Sequence, residues 1–153
     1  MRPTKRLLFL DFDGVLHPVA TKPGESLPFE WVPELSALLS EAPDVMIAVH
    51  SSWAERYPLD QMRDFLGPVG CRLIGAVNPG AKSSSILLFL RSRPDVQAWL
   101  VIDDEAGEFP PDFPGPVVIC DPARGISDLA VQDQIRRWMT LPPNKGRRGF
   151  PIP

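Results

Sequence analysis

The sequence predicts a single α/β domain, a three-layer sandwich around a mainly parallel sheet, and three observations predict it. Four short runs, 7–10, 45–49, 98–102 and 117–120, are apolar throughout and do not alternate with polar residues. Strands buried on both faces of a parallel sheet have that pattern. Segments of helical period separate the runs, and strand-helix alternation implies parallel strands joined by helical crossovers. The chain has 153 residues, room for one layered core and too few for two domains at roughly 100 to 200 residues each.

The elements follow in order. The first strand, 7–10, stops at Asp11. Residues 14–30 have no period and carry Pro18, Pro23, Gly24 and Pro28, which predicts a loop or small hairpin. That loop lies beyond the carboxyl end of a strand, where ligands bind in open α/β sheets. Trp31, Leu35, Leu38 and Leu39 then share one face of a helix, and the second strand, 45–49, follows. A helix near 60–66 ends at Gly67, and 71–77 reads as a weaker fifth strand. Lys82 opens a helix at 83–91, whose three serines are able to cap it and which closes before Pro94. After the strands at 98–102 and 117–120, Val131, Ile135, Trp138 and Met139 line a last helix. Residues 1–141 are the expected domain, and 142–153, with Lys145, Arg147 and Arg148, read as a flexible Pro-rich basic tail.

Composition excludes several classes. Hydrophobic residues at 44% and charged residues at 23% are globular values and exclude a disordered chain. No apolar stretch approaches the roughly 20 residues that span a bilayer, so no membrane association is expected. The first apolar run is also shorter than the roughly 7 to 15 residues of a signal peptide core. Cys71 and Cys120 form no CxxC pair, which argues against a disulfide framework or thiolate metal site and for a reducing, cytoplasmic location. A net charge of -3 denies the whole surface a general affinity for nucleic acid, so any such contact must be local.

Chemistry gathers where the strands end. Asp11, Asp13 and Gly14 follow the first strand, His50, Ser51 and Ser52 the second, and Asp103, Asp104 and Glu105 the strand 98–102. A parallel sheet brings these positions to one edge together with Lys82. So many carboxylates repel one another without a cation, and a hard oxygen donor set suits Mg²⁺. Lys82 in a first helical turn opposes the helix dipole, which a bound phosphate would offset. The simpler readings are a turn for Asp11 to Gly14, a helix cap for Ser51 or Ser52, and loop solvation for Asp103 and Asp104. Spacing alone does not decide which serine would face a phosphate; Ser51 is preferred. An ATP-binding phosphate loop is excluded, because Ala81 separates Gly80 from Lys82. His17 and His50 accompany no nucleophile motif and read as structural. Trp31, Trp99 and Trp138 read as core, and Trp53 alone is placed to stack on a substrate.

Residues 7–16, LLFLDFDGVL, resemble motif I of the haloacid dehalogenase (HAD) superfamily. Ser51 is similar to motif II, Lys82 to motif III and Asp103-Asp104 to the acidic motif IV, in the superfamily's order. The segments around 50–53, 100–104 and 121–127 resemble the HAD domains of Swiss army knife RNA-repair proteins. In those domains an arginine commonly follows the tryptophan directly, whereas Ala54 follows Trp53 here and Arg56 comes later.

The resemblance implies a Rossmann-like sheet and a Mg²⁺-dependent phosphomonoester hydrolase. Asp11 would be the nucleophile that forms an aspartyl-phosphate, and Asp13 the general acid and then base. Ser51 and Lys82 would hold the phosphoryl oxygens. Mg²⁺ would sit on the Asp11 carboxylate, the Asp13 backbone carbonyl and Asp103, with Asp104 as ligand or support. Neither the interval from Asp13 to Ser51 nor that from Ser51 to Lys82 has room for an added domain of about 50 residues. No large cap is therefore expected. The open site suits a phosphorylated substrate as bulky as a nucleic-acid terminus or a nucleotide. Two competitors are a signalling receiver domain, whose acidic pair comes first and not last, and a non-catalytic or regulatory phosphate-binding HAD-like interaction domain. The physiological substrate and oligomeric state are not readable from the sequence.

Overall fold

The computed structural model describes residues 6–19 and 27–142; part of the predicted loop, 20–26, and all but the first residue of the predicted basic tail, 142–153, lie outside them. Five parallel strands, β1 (Arg6–Leu10), β2 (Val45–Val49), β3 (Leu73–Ala76), β4 (Ala98–Asp103) and β5 (Val117–Ile119), form one sheet in the order β3-β2-β1-β4-β5. Helices α1 (Val32–Leu39), α2 (Leu59–Leu66), α3 (Lys82–Arg91) and α4 (Leu129–Thr140) alternate with the strands. This is the predicted α/β sandwich.

Alternation along β1 divides the core between the two faces. Leu8 and Leu10 pack with Leu35 and Leu39 of α1, Met62 of α2 and Ile135 of α4. Leu7 and Phe9 face the other way, onto Ile86 of α3, Trp99 and Val101. Leu10 stands level with Val49 on one side and Ile102 on the other. The next residue of each strand, Asp11, His50 and Asp103, therefore arrives at the same height. The chain steps outward from β1 through β2 to β3 and returns to β4, so the sheet reverses its order between β1 and β4, where α/β folds place ligands.

The predicted boundaries shift in three places. Cys71 belongs to a 3-10 helix, Gly67–Arg72, so β3 starts only at Leu73. β5 ends at Ile119, one residue short of Cys120. Ala81 is the N-cap of α3 and no side chain caps it. Lys82 takes the first helical position, which carries the three serines inside the helix and past the capping site.

Arg72 closes the C-terminus of α1: its guanidinium donates to the carbonyls of Leu39 (2.8 Å), Ala42 (3.0 Å) and Val45 (2.9 Å). The last turn of α1 carries no basic residue of its own to meet the negative end of the helix. Arg72→Met keeps the length of the side chain and removes its donors. It should cost about 2 to 4 kcal/mol, the range of a few charge-assisted hydrogen bonds discounted for partial exposure. A urea midpoint lower by less than this scale, at unchanged slope, would show that the carbonyls are satisfied by water instead.

Candidate active site

The site grows from the carboxyl ends of the central strands, at Asp11 and His50 just beyond β1 and β2 and at Asp103, the last residue of β4. Asp11 is held by its backbone N–H on the Ile102 carbonyl (3.2 Å), and its Oδ1 accepts from the Phe12 N–H (2.8 Å). Gly14 turns the chain with φ of 76°, which favours glycine. A Cβ there would lie 2.3 Å from Asp104 Oδ2, so glycine is also what lets Asp104 approach this loop.

Lys82 reaches in from the first turn of α3. Its Nζ lies 3.1 Å from Asp11 Oδ2, 2.9 Å from Asp103 Oδ2 and 3.6 Å from Glu105 Oε1. The ammonium is thus engaged by carboxylates, on a mostly buried side chain that still borders open cavities. Asp103 is fully buried. His50 Nε2 lies 2.8 Å from its Oδ2, while Oδ1 accepts from the N–H groups of Asp104 (2.7 Å) and Glu105 (2.9 Å). Because it faces a carboxylate, Nε2 of His50 must carry a proton. His50 Nδ1 is buried without a hydrogen-bond partner.

Charge at the site is out of balance. Burial and the Asp103 carboxylate push Asp11 up, against Lys82 and His50, which pull it down. Asp103 is itself buried, yet His50 and Lys82 hold it far below the ordinary carboxylate range. Lys82 is held above the ordinary lysine range by Asp11 and Asp103, against its own burial. Asp104 is pushed up to about 7 by burial and by Asp11 and Asp103. The surplus negative charge therefore sits on the Asp11-Asp104 side.

Asp11, Asp13, Ser52, Lys82, Asp104 and Glu105 share one cavity of about 260 Å³. Ser52 and Lys82 also line a larger neighbouring cavity of about 700 Å³ together with His50 and Ser51. Ser51 is buried, and its Oγ accepts from the Trp53 N–H (3.2 Å), so it does cap the following 3-10 turn, Ser52–Glu55. The structure thus brings Asp11, Asp13, Lys82 and Asp104 around one space, puts Asp103 beneath it, and places Ser51 in the adjoining wall.

Two residues differ from their sequence reading. Trp53 is not laid open for stacking: Phe12, His17, Phe29, Tyr57 and Phe65 surround it, and the Arg56 guanidinium covers its ring at 5.8 Å. Its indole Nε1 donates to Asp13, 3.2 Å from each carboxylate oxygen. His17, read as structural, is also bonded to Asp13, with Nε2 at 2.7 Å from Oδ1. Its position four residues after Asp13, across a glycine turn, was the available signal. These contacts and the charge of Arg56 lower Asp13 below the usual carboxylate value despite partial burial.

Ligand atoms of Asp11, His50 and Asp103 lie within 4.8 Å of one another, as do those of Asp103, Asp104 and Glu105. Lys82 already supplies positive charge to the first group, and the protonated Nε2 of His50 cannot ligate. The carboxylates of both groups could hold a metal ion.

Fold and site together define a parallel α/β domain with an acidic, lysine-bearing centre at the reversal point of its sheet. The family described as the HAD domain in Swiss Army Knife RNA repair proteins matches residues 7–131, and the chain belongs to it. Membership points to a hydrolase of the phosphatase type. No curated protein matches the chain significantly. No helix among the described residues is long and apolar enough to cross a membrane, and both cysteines are free.

Proposed function

We propose that the protein is a Mg²⁺-dependent phosphomonoester hydrolase working through an aspartyl-phosphate on Asp11. The observation that carries the reading is the Lys82 ammonium seated between Asp11 and Asp103, with Asp13 and Asp104 bordering the same cavity. The donor set fits the ion: every candidate ligand on the open side is oxygen, and burial together with the Asp11 and Asp103 carboxylates raises Asp104 to about 7. Asp11, the Asp13 carbonyl and Asp104 would hold it. Asp103 is fully buried and, unlike Asp11 and Asp104, does not line that cavity, so we assign it to fixing His50, Lys82 and the backbone N–H groups and give Asp104 the charged ligand role. When bound, the ion supplies Lewis-acid polarisation of the phosphoryl group and offsets repulsion between anions.

The chain's own residues do the rest. An Asp11 oxygen attacks phosphorus as the bond to the leaving oxygen breaks. Asp13, which His17, Trp53 and Arg56 hold as the carboxylate in the free protein, takes up a proton as the anionic phosphate binds beside it and gives that proton to the leaving oxygen. Water then attacks the phosphorus, Asp13 takes a proton from it, and the bond to Asp11 breaks to release inorganic phosphate. Lys82 and the Ser51 hydroxyl, whose proton is not used by the Trp53 N–H it accepts, steady the phosphoryl oxygens as charge moves between them. The test is Mg²⁺-dependent release of phosphate from a panel of sugar phosphates, nucleotides and end-phosphorylated oligonucleotides. Failure on every member would remove the reading in favour of a non-catalytic phosphate-binding domain.

A substrate carrying its phosphate at the end of a larger molecule, such as a nucleic-acid terminus, agrees with the short intervals around motif II. It agrees also with Arg56, which has no ion pair among the described residues and whose charge is felt at Asp13. We expect unphosphorylated oligonucleotide to compete with substrate at low salt, where contacts to phosphates are strongest. Absence of inhibition there would leave a small phosphoester as the substrate.

A further inference from the structure

We propose that His17 is a positioning residue: with Trp53 it clamps the Asp13 carboxylate in one orientation and leaves Oδ2 as the oxygen that exchanges a proton with leaving group and water. The proposal rests on the role given to Asp13 above. His17 is 6% exposed, and its Nδ1 accepts the Phe29 N–H at 3.0 Å. An imidazole that accepts at Nδ1 carries its hydrogen on Nε2, so the 2.7 Å contact to Asp13 Oδ1 is a donated bond. Trp53 Nε1 is shared between the two oxygens. Oδ1 thus receives one whole donor and a share of a second, and Oδ2 only the other share, which leaves Oδ2 the freer oxygen on a side chain that borders the cavity with Asp11 and Asp104.

The surroundings are built to hold the imidazole. Phe29 adopts φ of 60°, a conformation that side chains rarely take, in the segment that brings its N–H to His17. Its ring meets His17 edge-on at 5.1 Å and Trp53 at 5.0 Å. The turn itself does not need the ring. Backbone bonds from Gly14 N–H to the His17 carbonyl (2.8 Å) and from Leu16 N–H to the Phe12 carbonyl (2.9 Å) already close it. What the imidazole adds is a donor aimed at Asp13.

The experiment compares wild type, His17→Ala and His17→Gln in the Mg²⁺-loaded enzyme, with an alkyl phosphate and 4-nitrophenyl phosphate as substrates. Loss of the clamp should lower kcat for the alkyl ester by about 10- to 100-fold, the scale of a misplaced catalytic group. KM and inhibition by inorganic phosphate should stay within about twofold. The loss on 4-nitrophenyl phosphate, whose leaving group needs little protonation, should be smaller. Glutamine, which keeps an N–H at similar reach, should recover part of the rate. In an Asp13→Asn background, His17→Ala should add almost nothing. Equal losses on both esters, or full additivity with Asp13→Asn, would make His17 merely structural and overturn the proposal. Nitrogen-15 NMR of the metal-free protein supplies a readout apart from turnover. A hydrogen on Nδ1 in an active enzyme overturns the clamp alone, whereas a wild type that hydrolyses no phosphoester removes the proton-transfer role and the proposal with it.

Discussion

Asp11→Asn should lower phosphoester turnover on the order of 10⁴- to 10⁶-fold, as loss of a covalent nucleophile does, while the fold persists. The amide has the shape of the carboxylate but not its nucleophilic oxygen. Its carbonyl can still accept the Phe12 N–H, so the local turn keeps its bond. The stability effect should be small. Lys82 loses one partner but keeps Asp103 at 2.9 Å, and removing a carboxylate relieves the repulsion that raises Asp11 and Asp104. A purified variant with more than a small fraction of the wild-type rate, and a normal thermal midpoint, would rule out the aspartyl-phosphate route.

Removing the metal should be equally severe, and the two acids of the pair should fail in opposite ways. Chelation should stop turnover. Asp104→Asn should raise the Mg²⁺ needed for half activity on the order of 100-fold, yet leave the metal-free protein as stable as wild type or more so. Asp103→Asn should instead destabilise the metal-free protein by about 3 to 5 kcal/mol, because it breaks a buried pair and strands its partners. The sign of the pH dependence follows from the same charges. Asp11 and Asp104 are raised in the folded state above the ordinary value of 3.8, Asp104 to about 7. In the unfolded chain they give up their protons first, so metal-free stability should fall as pH rises from about 5, above which the depressed Asp13 and Asp103 are ionised in both states, to about 7. Mg²⁺, which binds the ionised form, should reverse the trend. Thermal midpoints measured with chelator and with Mg²⁺ across that range check this. A metal-free midpoint that rises through the range, or identical effects of the two substitutions, would mean that the charged ligand is not Asp104.

The sheet was legible in the sequence because its strands are buried on both faces, and continuous apolar runs such as Val45–Val49 need no side to be guessed. The meeting of Asp11, His50 and Asp103 at one edge followed from parallel pairing alone, and Lys82 comes to it from the first turn of α3. The finer contacts did not. Which residue of Asp103-Asp104 is sealed in depends on where β4 stops. Asp103 is still the last residue of the strand, although the apolar run ends at Ile102. The link from His17 and Trp53 to Asp13 joins a turn to a later loop, and periodicity carries no information about that. The indole of Trp53 was correctly placed beside the site and wrongly aimed, since its wall of Phe12, Phe29 and Phe65 comes from three separate segments.

The central place of β1 has a consequence for the birth of the protein. Leu8 stands opposite both Ile47 and Leu100, so the first strand made is completed only when the fourth has been synthesised. At ribosomal speeds of about 5 to 20 residues per second, one edge of β1 waits roughly 5 to 20 s for its neighbour. During that wait Leu7, Leu8, Phe9 and Leu10 are an uncovered, β-prone stretch of the kind that seeds aggregation. The stretch is bracketed by charge, Arg6 before it and Asp11 after it, the arrangement by which flanking residues discourage intermolecular strand pairing. Asp11 thus serves the nascent chain as a guard before there is any site for it to serve. Its replacement by asparagine should show in the yield of soluble protein as well as in the assay.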